Sequence, residues 1–268
     1  MLKGILIVLM TAILTGCRND NVVDDTLPTW TYFAIEDSPG ADGWQHLISI
    51  TVHSGDIVVL AELDSLLPAT TSPHSRREMA QFDEYDAIFG YNFYEEVEFF
   101  ERRLVGNHLS EVENLVRGAV DANHVSFETE RFADLIAIAL ATPPIVSGDL
   151  IDGFYRSFSA DSGYRYFVQL YVHHGRIVSV HFNAIDADGD LRYEYVNFDT
   201  VDVDALDWPA QANIFARSLI ASQNPAYFTF DANGYTDEIP HVNIPIEPLV
   251  SLVTNALAAG PVVTNSGE

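Results

Sequence analysis

From Trp44 the chain alternates, with Trp44, His46, Ile48, Ile50 and Val52 on one face and Gln45, Ser49, Thr51 and His53 on the other. A period of two marks a strand that buries one face. Ser54-Gly55 supplies a turn and Asp56 to Leu63 returns as a second apolar strand, so the stretch predicts a β-hairpin. The hairpin recurs 120 residues on. Gly163-Tyr164 answers Gly43-Trp44, while Val168, Leu170 and Val172 answer Ile48, Ile50 and Val52. His174-Gly175 takes the turn and Ile177-Val178 opens the return strand.

Each half then changes to a helical period. Val97, Phe100 and Leu104 share one helix face and are echoed by Ala212, Phe215 and Leu219 after Trp208-Pro209. Val112, Leu115, Val116 and Ala119 predict a further helix in the first half, with Ser110 as its cap. The second half has no clean copy of it, and Tyr227-Phe228-Thr229-Phe230 reads as a strand. Each half closes on a helix: Phe132, Leu135, Ile136, Ala139 and Leu140 have apolar partners 117 positions later in Leu249, Leu252, Val253, Ala256 and Leu257. Thr129 suits the cap of the first, and Pro248 suits the first turn of the second, where a missing N–H is tolerated.

Repeats of 117 to 120 residues mean two domains, since solenoid repeats are several times shorter. The expected fold is α+β, two tandem copies of an antiparallel sheet covered by helices on one face, at residues 29–145 and 146–262. Thr142-Pro143-Pro144 to Ser147-Gly148 ends the first copy and links the two, and residues 263–268 form a tail.

Met1-Leu2-Lys3, the apolar run from Gly4 to Leu14, and Leu14-Thr15-Gly16-Cys17 form a secretory signal, too short to span a membrane as a helix. Leu-Thr-Gly-Cys resembles the lipobox of bacterial lipoproteins, which implies cleavage after residue 16, acylation of Cys17 and a tether over residues 17–28. An ordinary signal peptide with a chance Cys is the alternative. Cys17 is the only cysteine, so no intramolecular disulfide exists. The expected location is the extracytoplasmic side of the cell membrane or outer membrane, held there by lipid.

The sequence carries 13 Lys+Arg against 39 Asp+Glu, a net charge of -26. Lys3 is its one lysine, so removing the signal leaves 12 - 39 = -27. Such a surface repels nucleic acid and anionic lipid, and nucleic acid is excluded as a partner. Adaptation to a salty or polyanionic environment explains the charge more simply than a specific cationic partner.

Asp152-Gly153-Phe154-Tyr155, Gly163-Tyr164, the run from Phe167 to Val180, and Asp188-Gly189 together resemble the FMN-binding domain of bacterial extracytoplasmic lipoproteins, the membrane-immunogen and pheromone-precursor type. The resemblance spans each half almost end to end and rests on order and pattern. It implies a turn of the form Asp-x-x-(Ser/Thr)-Gly-Ala-(Ser/Thr) before the closing helix. There Gly-Ala lets backbone approach the FMN phosphate, and in covalent members the last hydroxyl is esterified to the flavin. Asp237 to Asn243 has the Asp at the right spacing, but His241-Val242 replaces Gly-Ala and Asn243 has no hydroxyl. The first copy has Ser126 as the possible acceptor, again after His124-Val125, with Asp121 one position too close. The candidate cofactor residues are therefore Ser126, His124, His241, Asn243 and Asp237, with FMN as the candidate cofactor.

No metal site and no catalytic residue is expected. His173-His174 reads as a solvated turn, and Asp186 to Asp190, with Glu194 beyond, lacks the Gly and Glu spacing of a calcium loop. The aromatics Phe89, Tyr91, Phe93, Tyr94, Phe99 and Phe100 read as core. The resulting expectation is a binding or interaction module with degenerate flavin sites, leaning against an enzyme. The alternative is an extracytoplasmic electron-transfer protein holding FMN, and a glycan hydrolase ranks last because nothing singles out a carboxylate pair.

Overall fold

The computed structural model describes residues 28–40, 42–67, 75–81, 90, 92–118, 128–159, 165–188, 190–192 and 207–262. The lipobox with Cys17, the tether up to residue 27, and Phe89, Tyr91, Ala119, Asp121, His124, Val125, Ser126, Gly163, Tyr164, Gly189 and Glu194 lie outside the described residues, as does the tail. Among those described, no helix is long and apolar enough to cross a membrane.

The fold is α+β, with two antiparallel three-stranded sheets and six helices among the described residues. The first sheet holds β1 (Thr29–Ile35), β2 (Gln45–His53) and β3 (Ile57–Leu66). After it come α1 (Arg76–Met79), α2 (Phe93–Leu104), α3 (Leu109–Arg117) and α4 (Thr129–Ala141). The second sheet holds β4 (Gly153–Phe158), β5 (Arg165–His173) and β6 (Arg176–Ile185), followed by α5 (Trp208–Ser222), a short 3-10 turn at Pro225–Tyr227 and α6 (Glu247–Ala259). Both sheets have their strands in chain order, so each strand is a neighbour of the next.

The alternation in the sequence sorts the strands as expected. Ile48, Ile50 and Val52 of β2 enter one core with Val97, Phe100 and Leu104 of α2 and Phe132, Leu135, Ile136 and Ala139 of α4. Val168, Leu170 and Val172 of β5 enter a second with Ala212, Phe215 and Leu219 of α5 and Leu249, Leu252, Val253 and Ala256 of α6. Docking is the same in both halves: α2 and α5 lie on the third strands of their sheets, and the closing helices α4 and α6 lie on the first two strands. The α3 helix has no helical counterpart.

Finer details of backbone repeat as well. The β2–β3 ladder shifts register between Thr51 and Val52, and the β5–β6 ladder shifts between Tyr171 and Val172, 120 positions on. Such bulges add twist and bend the hairpin over its helix. The outer edge of the third strand is closed at matched places. In the first half Val58 N–H donates to the Asn107 carbonyl at 3.0 Å and its own carbonyl accepts from Gly106 at 2.9 Å. In the second, the Gln223 side chain does both jobs, accepting from Ile177 N–H at 2.9 Å and donating to its carbonyl at 2.8 Å.

Four local expectations need correction. Thr129 is the first helical residue of α4, behind Glu128 at the cap position, and no side chain caps that helix. His108 caps α3, its Nδ1 accepting from Ser110 N–H at 3.3 Å, so Ser110 lies inside the helix. Tyr227 to Phe230 forms no strand; Pro225 starts a 3-10 turn there and has no N–H to give to a ladder. His173 is buried at 8% exposure, because the sheet face behind the helices is covered by the other sheet. Leu47, Leu66 and Phe154 form a small core between the sheets, with Phe33, Ile35 and Tyr171 packed on it.

Candidate functional site

The turn before α6 combines Asp237, His241 and Asn243. His241 has φ 65, in the left-handed region that glycine adopts at least cost, and its side chain is exposed. Val242 is buried in the second core, which anchors the turn from below. Asn243 and Asp237 are exposed, and Asn243 N–H donates to Gln211 Oε1 on α5. The chain then needs three more residues before the helix starts at Glu247. There the N–H groups of Ile246 and Glu247 donate to the Gly234 carbonyl, at 2.8 and 3.3 Å. Pro248 has no N–H, and Glu247 places an acid in the first turn. A helix N-terminus attracts anions through its open amides and positive dipole end. This one has its first amide in use, its second missing and a carboxylate beside it.

Sequence reasoning missed the seam between the sheets. One end is a hydrogen-bonded cluster: Ser179 Oγ donates to Gln45 Oε1 at 3.1 Å, and His181 Nε2 lies 3.1 Å from that oxygen and 2.8 Å from Ser179 Oγ. Gln45 Nε2 donates to the Glu36 carbonyl at 2.6 Å. Burial pushes His181 down to about 3, so its ring is neutral at pH 7. Asp64, on the same face of β3, is pushed the other way by burial, up to about 7. Hydrogen bonds from the Ser75 hydroxyl and from Ser65 and Arg77 N–H, with the nearby Arg77 charge, limit that shift.

At the other end, three potential ligands converge from both sheets. Glu62 Oε2 of β3 lies 3.7 Å from His173 Nε2, and His173 Nδ1 lies 4.0 Å from Asp152 Oδ2. Successive strand residues point to opposite faces, yet the His173 and His174 rings sit 4.3 Å apart, edge to face. The left-handed φ of 50 at His174, followed by 70 at Gly175, turns the chain back within two residues and brings both rings together. Asp152 fixes that turn by accepting from His174 N–H at 3.0 Å and Gly175 N–H at 2.7 Å. His174 Nε2 lies 2.9 Å from Ser49 Oγ of the first sheet. One ligand atom from each of Glu62, His173 and His174 falls within 4.8 Å of the other two. Burial, then His174, push His173 down to about 4 against the upward pull of Asp152.

A second group, Asp42, His46 and Glu128, is equally compact but already has its cations. Asp42 pairs with Arg131 at 3.0 Å and Glu128 with Arg76 at 3.1 Å, while His46 stacks on Phe132 and shares a hydrogen bond with Ser65 Oγ at 2.6 Å. The run from Asp186 is a self-contained turn, Asp186 Oδ1 accepting from Asp188 and Asp190 N–H at 2.9 and 3.0 Å. Two adjoining clefts, about 160 and 260 Å³, run between the β1 edge and β6, sharing Ile35, Val178 and Ile220. Each is below the roughly 300 Å³ at which small-molecule pockets begin.

No protein-family model matches the chain, and no curated protein does. Among solved structures, a solution NMR structure of a Clostridium thermocellum protein is 26% identical over 44% of this chain and 98% of that one, with a TM-score of 0.35. That likeness is too slight to bear on fold or function.

Proposed function

We propose that the protein is a lipid-anchored extracytoplasmic binding module built from two FMN-binding-like units, and that it does not use flavin. The observation that supports this best is the turn before α6. His241 keeps the left-handed backbone expected of a glycine at that place in the flavin motif, while the groups that would hold and esterify the phosphate are gone. The Glu247 amide is in use, Pro248 offers none and Asn243 carries no hydroxyl. A phosphate there would face the Glu247 carboxylate instead of open amides.

The reading has two separable parts. Anchoring is checked by growing cells with labelled palmitate: wild type takes up label, and Cys17→Ser does not. Flavin binding is checked by titrating FMN into the purified chain and following flavin fluorescence. No saturable quenching is expected, whereas a one-to-one quenching curve would favour the electron-transfer alternative.

A further inference from the structure

Glu62, His173 and His174 combine features that a hydrogen-bonding role leaves unexplained. A carboxylate stands near each nitrogen of the buried His173 ring: Asp152 4.0 Å from Nδ1 and Glu62 3.7 Å from Nε2. Both separations are too long for a hydrogen bond, and a buried nitrogen left without a partner is costly. Nε2 is buried and makes no hydrogen bond among the described residues. Asp152 is already fixed by two backbone donors from the turn, and it suits an N–H at Nδ1. The Nε2 lone pair then points toward Glu62, with the His174 ring beside it. Among the described residues, no Arg pairs with Glu62.

We propose that Glu62, His173 and His174 bind one divalent transition-metal ion of the zinc type, which clamps the two sheets together. Two imidazoles and a carboxylate are a borderline-soft donor set that suits zinc and disfavours magnesium and calcium, which take mostly oxygen. Asp152 supplies the outer carboxylate that orients a ligating histidine through its second nitrogen. Bonds of about 2.0–2.1 Å to a tetrahedral zinc ion place ligand atoms about 3.4 Å apart, so the cluster has to contract. Glu62 can supply that movement, because its side chain is 39% exposed. Water fills the fourth position. Glu62 comes from the first sheet and both histidines from the second, so the ion would make the halves one mechanical body.

The test uses the full-length chain in detergent, with no polyhistidine tag, freed of metal by dialysis against a chelator. Calorimetric titration with Zn²⁺ should show one ion per chain and a rise in melting temperature, with Mg²⁺ giving neither. Glu62→Gln keeps the shape but removes the charge. His174→Asn keeps the left-handed turn, since Asn-Gly suits two successive positive φ angles. Each should weaken Zn²⁺ roughly tenfold to a hundredfold. His108→Asn, at the cap of α3, should leave binding unchanged. Absence of Zn²⁺ binding, or binding that both site variants retain at wild-type strength, would overturn the proposal.

Discussion

The two halves share a frame and differ in what they attach to it. Both have three strands in chain order, a register shift at matched positions and a closing helix of 13 residues whose buried apolar positions correspond one for one. They part after α2 and α5. The first half inserts α3, while the second crosses that region with the 3-10 turn at Pro225–Tyr227 and an irregular chain from Phe228 to Ile246, tied by Gly234 to the start of α6. The edge of the third strand is closed by backbone in one half and by Gln223 in the other. The hairpin turn also shortens, from three residues between His53 and Ile57 to two between His173 and Arg176. Core and ladder tolerate little change, because every position is in contact. Turns and edge closures can be met in several ways, and there the copies have diverged.

The largest expected effect tests whether the frames are equivalent. Phe100→Ala and Phe215→Ala remove matched, fully packed rings, and each should cost about 3–5 kcal/mol in denaturant unfolding. A loss confined to one variant would show that one half carries the stability.

A pH series sharpens the contrast between the seam and the rest. His181 and His46 have folded values near 3, below their ordinary 6.5. The unfolded chain therefore takes up their protons first, and the stability they allow is full above pH 6.5 and lost as pH falls toward 3. Asp64, raised from 3.8 to about 7, acts in the opposite sense and gains stability as pH falls through that window. Two histidines outweigh one carboxyl, so stability should decline below pH 6.5. His181→Gln should flatten the decline by up to about 1.4 kcal/mol per pH unit. Identical slopes for wild type and variant would remove His181 from the account.

Smaller effects fall on the divergent details. Gln223→Ala leaves Ile177 N–H and C=O unpaired at the β6 edge and should cost about 1–3 kcal/mol, while Asn107→Ala leaves the backbone closure of β3 intact. A thermal melt that ranks Asn107→Ala as the more damaging would contradict this assignment of the edges. Smallest is His241→Gly, which relieves a left-handed φ on a side-chain-bearing residue and should shift stability upward by less than about 1 kcal/mol. A marked loss would mean that the exposed imidazole makes contacts that matter.

Much of the frame was legible because it is written in periodicity. The offsets of 120 for the hairpins and 117 for the closing helices locate the positions that the structure buries, from Ile48 and Val168 to Ala139 and Ala256. Caps were less legible. Thr129 and Ser110 are good capping residues, but their helices start earlier than those caps require, by one residue at Thr129 itself and by two at Leu109. The seam was illegible for a different reason. Gln45, Ser49, Glu62 and His173 fall on the polar side of their strands, and polarity ordinarily means solvent. Only the packing of one sheet on the other turns that face inward. The one local signal was His174-Gly175, a turn pair that requires two left-handed residues and so folds the second histidine back on the first. In the turn before α6, the motif marks Val242 only as a replacement for Ala and gives no sign of its burial, and the amides lost to Gly234 and Pro248 belong to a loop that no period describes.

The proposal that this two-unit frame works without flavin is tested most directly by co-expressing the chain with a flavin transferase, purifying it and measuring bound flavin per chain from visible absorbance and the acid-released chromophore. The account expects a colourless protein with no flavin released. A yellow protein carrying stoichiometric FMN would contradict it, whichever half holds the cofactor.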